Sequence, residues 1–416
     1  MQAARWLASF VVGCSLFSSS ARAQALDEVA ATRAVCLENA VARAQRQRGD
    51  AAVLAAQVLP NPVLIVEHQL TLAGAADRET ILGLSLPLGI GGRRWLLQDA
   101  ADARRQQAFA EAHATTFEAA LAFREAFVAA SVDQAGVEVL SQQQAALDAL
   151  SETLQKLAKG GEAASYDGLR QSTQARVHRQ LLASAKAKAL ASRTLLEAWT
   201  GHEVTLQNRE LVALGGGRAS SFGTYVRETP AVQSFLAEAR AGDLEARAAR
   251  RRAVPDLAVF AGYRAVAVGS ETGHGVALSL EMPLTFFDHG QAEAANADAE
   301  VQVARSLAAR LRQQMKAKLK AARASLTVLE ASHAEADTAS RDALLVREKA
   351  AQLYAAGEAS ITELLEAFRV AEEAQLAKVT LGESIALTRL ALMRAAGTMF
   401  DATLDRDCRG VAGGVR

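Results

Sequence analysis

Apolar residues stand at every second position in four short segments of the chain. The first two segments are residues 63–72 and 80–88, and the last two are residues 257–268 and 274–284. In the second segment the alternating row consists of leucines alone, namely Leu82, Leu84, Leu86 and Leu88. Alternation with period two predicts β-strands. A row made only of large apolar side chains further predicts that the outer face of these strands meets a very apolar environment.

Four much longer segments have the composition and spacing of α-helices. They cover about residues 92–159, 166–199, 288–355 and 360–396, and none of them contains a proline. The first would be about 100 Å long. Its Leu140, Leu147 and Leu154 are seven residues apart, which is the spacing of a coiled coil. A further helix is predicted from Asp27 to about Gln57. Another is predicted to start at Thr229, an N-cap residue that is followed by Pro230 in the first helical position.

Residues 157–170 and 353–366 align with each other without gaps, and the same offset relates residues upstream of them. At an offset of 196 residues, Gly161 matches Gly357 and Pro87 matches Pro283. A duplicated unit of this size indicates two structural repeats, each with one strand hairpin and one pair of long helices. The predicted division is a first repeat at residues 24–200, a linker at 201–227, a second repeat at 228–400 and a loose tail at 401–416.

Residues 1–23 have the features of a signal peptide. A basic residue precedes an apolar run, and the small residues of Ala21-Arg22-Ala23 suit a cleavage site. In the alternative interpretation the signal is that of a lipoprotein, and Cys14 carries the lipid. If Cys14 is removed, Cys36 and Cys408 remain, and nothing in the sequence decides whether they form a disulfide.

Composition narrows the function classes. Apolar residues make up 50% of the chain but aromatic residues only 5%, which favours long helices packed through small side chains. The formal net charge is +0, so no basic surface for nucleic acid is expected. After the signal there is no run of about 18 apolar residues, and therefore no membrane-spanning helix is predicted. Because nucleophile, phosphate-loop and ligand spacings are all missing, we expect no enzyme, no cofactor and no metal site.

Four strands cannot close a barrel within one chain. An open sheet edge is not tolerated in lipid, so closure must come from other copies. Two chains would give eight strands with a filled interior, whereas three give twelve and can leave a lumen. The sequence thus predicts a mainly α-helical chain with a β-barrel part. The expected assembly is a homotrimer whose 12-stranded barrel lies in outer membrane lipid and continues as an α-helical barrel in the periplasm.

The order of elements resembles the outer membrane efflux proteins, the TolC-like outer membrane factors. The resemblance covers about residues 27–400 and rests on the duplicated unit, the strand ends at residues 84–93 and 278–288, and the two glycine turns. It implies the channel of a tripartite efflux system in the outer membrane of a Gram-negative bacterium. Such a channel passively conducts substrates from an inner-membrane pump, often of the resistance-nodulation-division type, through a periplasmic adaptor (membrane fusion) protein. The Pro-Leu-x-Phe-Phe-Asp segment at 283–288 is most similar to the subgroup that exports heavy-metal cations such as cobalt, zinc, cadmium and nickel.

The resemblance also implies a periplasmic entrance at the ends of the helix hairpins. There Tyr354 matches a gate tyrosine, and three acids match entrance positions, namely Asp167, Glu363 and Glu366. The adaptor would dock at the tips, which are Gly160, Gly161, Gly357 and Glu358. Ala359 stands where a well-studied member of the family has an arginine. The resemblance therefore leaves open whether ion pairs lock the closed gate.

Other interpretations compete with these. Glu363 and Glu366 are three residues apart and in a trimer could ring a lumen with six carboxylates. Yet Ser360-x-x-Glu363 is also a capping box, in which an acid is expected for local reasons. The channel could serve drug efflux or type I secretion instead of metal export. Outside the channel class, a soluble periplasmic coiled-coil structural protein would account for the helices but not for the four apolar strands.

Overall fold

The computed structural model describes residues 24–25, 28–71, 77–159, 165–201, 203–206, 228–399 and 408. The chain is mainly α-helical with a small β-sheet, which confirms that part of the sequence prediction. It divides into two compact units. The hairpin unit contains residues 1–31, 123–214 and 332–386, and the sheet unit contains residues 32–122, 215–331 and 387–416. The predicted signal peptide and all but Cys408 of the predicted tail lie outside the described residues.

The helices are α1 (Glu28–Leu37), α2 (Ala40–Gln57), α3 (Arg93–Lys159), α4 (Ser165–Thr200), α5 (Pro230–Arg250), α6 (Gln291–Ala355) and α7 (Ile361–Ala396). The strands are β1 (Gln24–Ala25), β2 (Val63–Leu70), β3 (Asp77–Leu88), β4 (Val204–Thr205), β5 (Leu257–Val268) and β6 (Glu271–Glu281). Helices α3 and α6 have 67 and 65 residues, and α4 and α7 have 36 each. Within the described part of the chain, no helix combines the length and hydropathy needed to cross a membrane.

The sheet unit is built on a four-stranded antiparallel sheet in the order β2-β3-β5-β6. Each half of the chain contributes one hairpin, and the two hairpins are joined because β3 pairs with β5 along its whole length. The register sets one residue from each strand side by side, Leu64, Leu84, Ala261 and Leu278. Because side chains alternate between faces, this register puts the apolar rows of the four strands on one face.

Two glycines allow close packing on the opposite face of the sheet. Gly83 of β3 and Gly262 of β5 are directly paired, and the ring of Phe260 covers both. A Cβ atom on Gly83 would lie 2.5 Å from the Ala261 carbonyl oxygen and from the Gly262 Cα. A side chain at this position would therefore collide with backbone, which explains glycine inside two otherwise apolar strands.

The chain ends of the sheet unit are tied together by a disulfide bond. Cys36 of α1 is bonded to Cys408, across a sequence separation of 372 residues. Both cysteines are buried. The structure thus settles the pairing that the sequence left open. It also confirms the predicted start of α5, where the Thr229 hydroxyl accepts a hydrogen bond from the Val232 N–H and Pro230 occupies the first turn.

The prediction of one helix over residues 27–57 is wrong, because the segment forms the two helices α1 and α2. The Asn39 side chain accepts a hydrogen bond from the Ala42 N–H at 3.0 Å and starts α2. Its backbone has left the helical region, with φ −64° and ψ 97°. Asparagine favours a capping conformation because its side chain can bond to the backbone of the next helix. The preceding helix α1 therefore ends before Asn39.

Coiled-coil packing dominates the hairpin unit. Leu140, Leu147 and Leu154 of α3 are all buried, which confirms the predicted seam. Buried residues on α4 recur at alternating spacings of four and three residues, beginning with Gln171, Ala175, His178 and Leu182. Several of these seam positions are polar, which the leucine pattern of α3 did not indicate.

Element ends differ from the sequence prediction where local hydrogen bonds decide them. The strand predicted over 80–88 begins at Asp77, and the one predicted over 274–284 spans Glu271–Glu281. Helix α6 begins at Gln291 instead of residue 288, because Gly290 has φ +85° and its N–H donates to the Asp288 carboxylate. Part of the predicted linker forms β4, which pairs in parallel with β1.

Candidate functional site

The turn between α6 and α7 is built on Gly357. Its φ of +76° lies in the left-handed region, which glycine adopts without a steric penalty. The Glu358 N–H donates to the Leu353 carbonyl at 2.9 Å, and the Gly357 N–H donates to the Tyr354 carbonyl at 3.0 Å. This pair of bonds is the Schellman motif, which satisfies the last carbonyls of a helix. Gly357 and Glu358 are both exposed.

Helix α7 then starts with the capping box that the sequence indicated. The Glu363 carboxylate accepts a hydrogen bond from the Ser360 N–H at 2.8 Å, while the Glu363 N–H donates to the Ser360 hydroxyl at 3.2 Å. The bond from the Ser360 backbone, supported by one from its hydroxyl, lowers the pKa of Glu363. Glu363 therefore has a local structural role and stays ionised at neutral pH.

Glu366 is part of an exposed three-residue ion cluster on α7. The guanidinium of Arg369 donates to Glu366 through Nε at 2.9 Å and through Nη2 at 2.5 Å, and also pairs with Glu373. The bond with Arg369 lowers the pKa of Glu366. The sequence analysis missed Arg369, although its spacing of three from Glu366 and four from Glu373 is the spacing of helical ion pairs. Counting all three side chains, the cluster keeps one net negative charge.

Tyr354 lies half-buried near the end of α6. Its ring packs against an apolar cluster drawn from three helices, α3, α4 and α7, which consists of Leu147, Leu154, Ala175, Ile361, Leu364 and Phe368. Burial, and secondarily the negative charge of Asp167, raises the pKa of Tyr354. The structure thus brings together two of the residues that the sequence singled out from different halves of the chain.

One hydrogen bond directly joins the two helix hairpins at this end. The Arg170 guanidinium of α4 donates to the Thr362 hydroxyl of α7 at 2.8 Å. Neither residue was singled out from the sequence, because the two are 192 positions apart and no local spacing relates them. Ala359, by contrast, carries no polar side chain. Gly160 and Gly161 lie outside the described residues.

The second candidate site is the apolar face of the sheet. Its large apolar residues include seven on three strands that are between 48% and 77% exposed, Leu64, Val66, Leu82, Leu84, Val276, Leu278 and Leu280. The opposite face carries an ion pair, in which Nε of Arg264 lies 2.5 Å from Oε1 of Glu79. Among the described residues, β2 and β6 each pair on one side alone. No group of three or more His, Cys, Asp or Glu side chains in the described ranges could hold a metal ion.

Comparison with known proteins supports a fold assignment. No protein-family model matches the chain, and no curated protein sequence matches it. Among solved structures, the outer-membrane channel OprN is similar with a TM-score of 0.72 and 15% identity, over 89% of this chain and 90% of that one. The Campylobacter jejuni CmeC outer membrane channel has a TM-score of 0.72 and 12% identity, over 94% and 90% of the two chains.

The open state of the Neisseria gonorrhoeae MtrE outer membrane channel is similar to the same degree. Its TM-score is 0.69 at 15% identity, over 89% of each chain. At identities this low the likeness establishes the fold. The chain therefore has the fold of outer membrane channels along nearly its whole length.

Proposed function

We propose that the chain is the outer membrane channel component of a tripartite efflux system in a Gram-negative bacterium. In this proposal three copies form a homotrimer, and their sheets close into a 12-stranded barrel in outer membrane lipid. Helices continue the channel into the periplasm. The observation that carries the proposal is the sheet with one exposed apolar face and two edge strands, in a chain with the fold of outer membrane channels.

Exposure of the apolar face of the sheet to water would be costly, because burial of large apolar side chains lowers their free energy. Burying a large apolar side chain stabilises by about 1.5–3 kcal/mol. For the seven exposed residues the total is on the order of 10–20 kcal/mol, which is as large as the stability of a whole domain. Lipid supplies such an environment, and pairing of β2 with β6 of a neighbouring copy satisfies the backbone groups at the edges.

The end of the α6–α7 hairpin is the proposed periplasmic entrance. Glu363 and Glu366 supply negative charge there at neutral pH, because hydrogen bonds from Ser360 and Arg369 keep their pKa values low. Carboxylates at the mouth of a pore favour cations. The Arg170–Thr362 bond holds the two hairpins together in a closed entrance, in the absence of an arginine at position 359.

Two further parts of the proposal concern partners and cargo. The exposed Gly357–Glu358 turn is the proposed docking site for a periplasmic adaptor, which connects the channel to an inner-membrane pump of the resistance-nodulation-division type. Heavy-metal cations are the proposed cargo, supported by the Pro-Leu-x-Phe-Phe-Asp segment and by the acidic entrance. Growth of a deletion strain on cobalt, zinc, cadmium and nickel salts tests this. Sensitivity to drugs alone, or loss of a secreted protein, would instead assign drug efflux or type I secretion.

Ion selectivity in planar bilayers tests the channel and its entrance together. The purified protein should conduct ions and prefer cations, and Glu363→Gln with Glu366→Gln should reduce that preference. Glutamine still accepts the capping hydrogen bonds, so the helix start is retained. Glu335→Gln, which removes an exposed acid elsewhere on α6, is the matched control and should change selectivity less. Unchanged selectivity in the double variant would contradict the proposed role of the two acids at the entrance. Absence of conductance would contradict the proposed channel function.

A further inference from the structure

A buried histidine connects three helices within the hairpin unit. His178 of α4 is 4% exposed and lies on the α4 seam. Its Nδ1 lies 2.9 Å from Oε1 of Gln144 on α3, and its Nε2 lies 3.3 Å from Oε2 of Glu372 on α7. The side chain of Glu372 is 16% exposed. Neither the proposed channel nor the entrance uses these residues.

Asp148 fixes the direction of the hydrogen bonds in this cluster. The Gln144 amide nitrogen donates to the Asp148 carboxylate at 2.9 Å. A carboxylate only accepts, so the amide nitrogen of Gln144 must face Asp148 and its oxygen must face His178. The Nδ1 atom of His178 must then carry a hydrogen in order to donate to that oxygen.

The other ring nitrogen therefore meets a carboxylate without a hydrogen of its own. In a neutral imidazole with its hydrogen on Nδ1, the Nε2 atom is an acceptor. Glu372 is an acceptor as well, and no hydrogen bond to Nε2 is formed within the described part of the chain. Two acceptors facing each other in a buried site are unfavourable. An additional proton on Nε2 converts the contact into an ion pair with a nitrogen-to-oxygen distance of 3.3 Å, and a proton on the carboxylate removes the charge that faces Nε2.

We propose that His178 and Glu372 share one titratable proton, and that this proton joins helix α4 to helix α7. The contact between α4 and α7 is tight when the proton is bound and loosens when the proton is released. This goes beyond the channel function and does not depend on it, because it concerns the packing of three helices. The two groups titrate as a pair, so the proton belongs to the pair and not to either residue.

The surroundings favour retention of the proton. Burial raises the pKa of Glu372, and the neighbouring Glu373 raises it further, although His178 opposes both. Other charged groups on the adjoining helix turns are Asp148 on α3, Arg179 on α4, Arg347 on α6, which is bonded to Gln143, and Arg369 on α7. Arg347 donates a hydrogen bond to Gln143, and Arg369 forms ion pairs with Glu366 and Glu373. In these interactions neither arginine is paired with Glu372.

The sign of the pH dependence follows from the raised pKa. Because burial raises the pKa of Glu372, its carboxyl group keeps a proton in the folded state at pH values where an unfolded glutamate, with a pKa of about 4.3, has released it. The contribution of this group to stability is therefore complete below about pH 4.3 and is lost as the pH rises through the folded-state pKa. Alkaline conditions should loosen the contact between α4 and α7.

Hydrogen exchange of the purified full-length protein, read by mass spectrometry, tests the proposal. After correction for intrinsic exchange, protection of the peptides around residues 178 and 372 should fall as the pH rises from about 5.5 to about 8.5. In Glu372→Gln the amide can donate to Nε2 without an added proton, so protection should persist and change less than about twofold. His178→Gln removes one of the two groups that would share the proton and should also flatten the profile.

Three results would overturn the proposal. The first is wild-type protection that does not depend on pH. The second is a Glu372→Gln variant that retains the wild-type pH profile, which would show that another group is responsible for the pH dependence. The third is a profile that changes with added Zn²⁺ or with a chelator, because a bridging cation would then occupy the place of the proton. If Glu372→Gln fails to fold, the His178→Gln profile alone decides between these outcomes.

Discussion

Replacing Leu278 with arginine should prevent assembly in the outer membrane, whereas the same replacement at the adjacent Ser279 should not. The two residues are neighbours on β6, so they lie at nearly the same height along the strand but on opposite faces of the sheet. Leu278 is 75% exposed on the apolar face. Ser279 lies on the opposite face, which carries the ion pair of Glu79 and Arg264.

The expected magnitude follows from the cost of placing a charge in lipid. An arginine on the lipid face of a barrel destabilises by about 2–4 kcal/mol at the middle of the bilayer, and by less near its surfaces. Loss of the leucine removes a further 1.5–3 kcal/mol or so of apolar burial. In a trimer the change occurs three times, so the total is on the order of 10–20 kcal/mol. Such a loss equals or exceeds the stability of a typical domain.

Membrane fractionation of cells that express each variant is the assay. Leu278→Arg should be depleted from the outer membrane and degraded or aggregated, while Ser279→Arg should reach it in wild-type amounts and show an altered conductance in planar bilayers. Equal amounts of both variants in the outer membrane would refute the assignment of the apolar face to lipid. A defect confined to Ser279→Arg would reverse the assignment of the two faces.

Two further predictions concern the links between distant parts of the chain. Removal of the Arg170–Thr362 hydrogen bond by Arg170→Ala should weaken the closed entrance by about 0.5–1.5 kcal/mol. The open probability in single-channel recordings should therefore rise, and Arg176→Ala, an exposed arginine on the same helix, should leave it unchanged. Replacement of both Cys36 and Cys408 by alanine should destabilise by about 2–4 kcal/mol and abolish the effect of reducing agents on thermal unfolding in detergent. Unfolding of the wild type that is insensitive to reduction would contradict the disulfide.

Much of the secondary structure could be predicted from local patterns in the sequence. Alternation placed a strand at residues 257–268, where β5 lies, because the period of a strand is visible within a few residues. The leucine repeat of α3 and the cap at Thr229 were likewise readable, and so was the box of Ser360 and Glu363. The break at Asn39 was missed because an asparagine within a helical pattern has no unique interpretation.

Contacts between residues that are far apart in the sequence could not be predicted from local patterns. The pairing of β3 with β5 and the disulfide of Cys36 with Cys408 depend on how the chain folds back on itself. The same holds for the bond of Arg170 to Thr362, 192 residues away. For the candidate site, the sequence identified the acids but not their partners. Arg369 changes the net charge beside Glu366, and Ser360 gives Glu363 a local role.

The most direct test of the account is native mass spectrometry of the protein extracted from isolated outer membranes in mild detergent. The account predicts a mass of three chains, which only membranes treated with detergent release. The same spectrum gives the first residue of the mature chain and thereby decides between cleavage after Ala23 and lipid on Cys14. A monomer or dimer recovered in the soluble periplasmic fraction would contradict the barrel and the proposed channel with it.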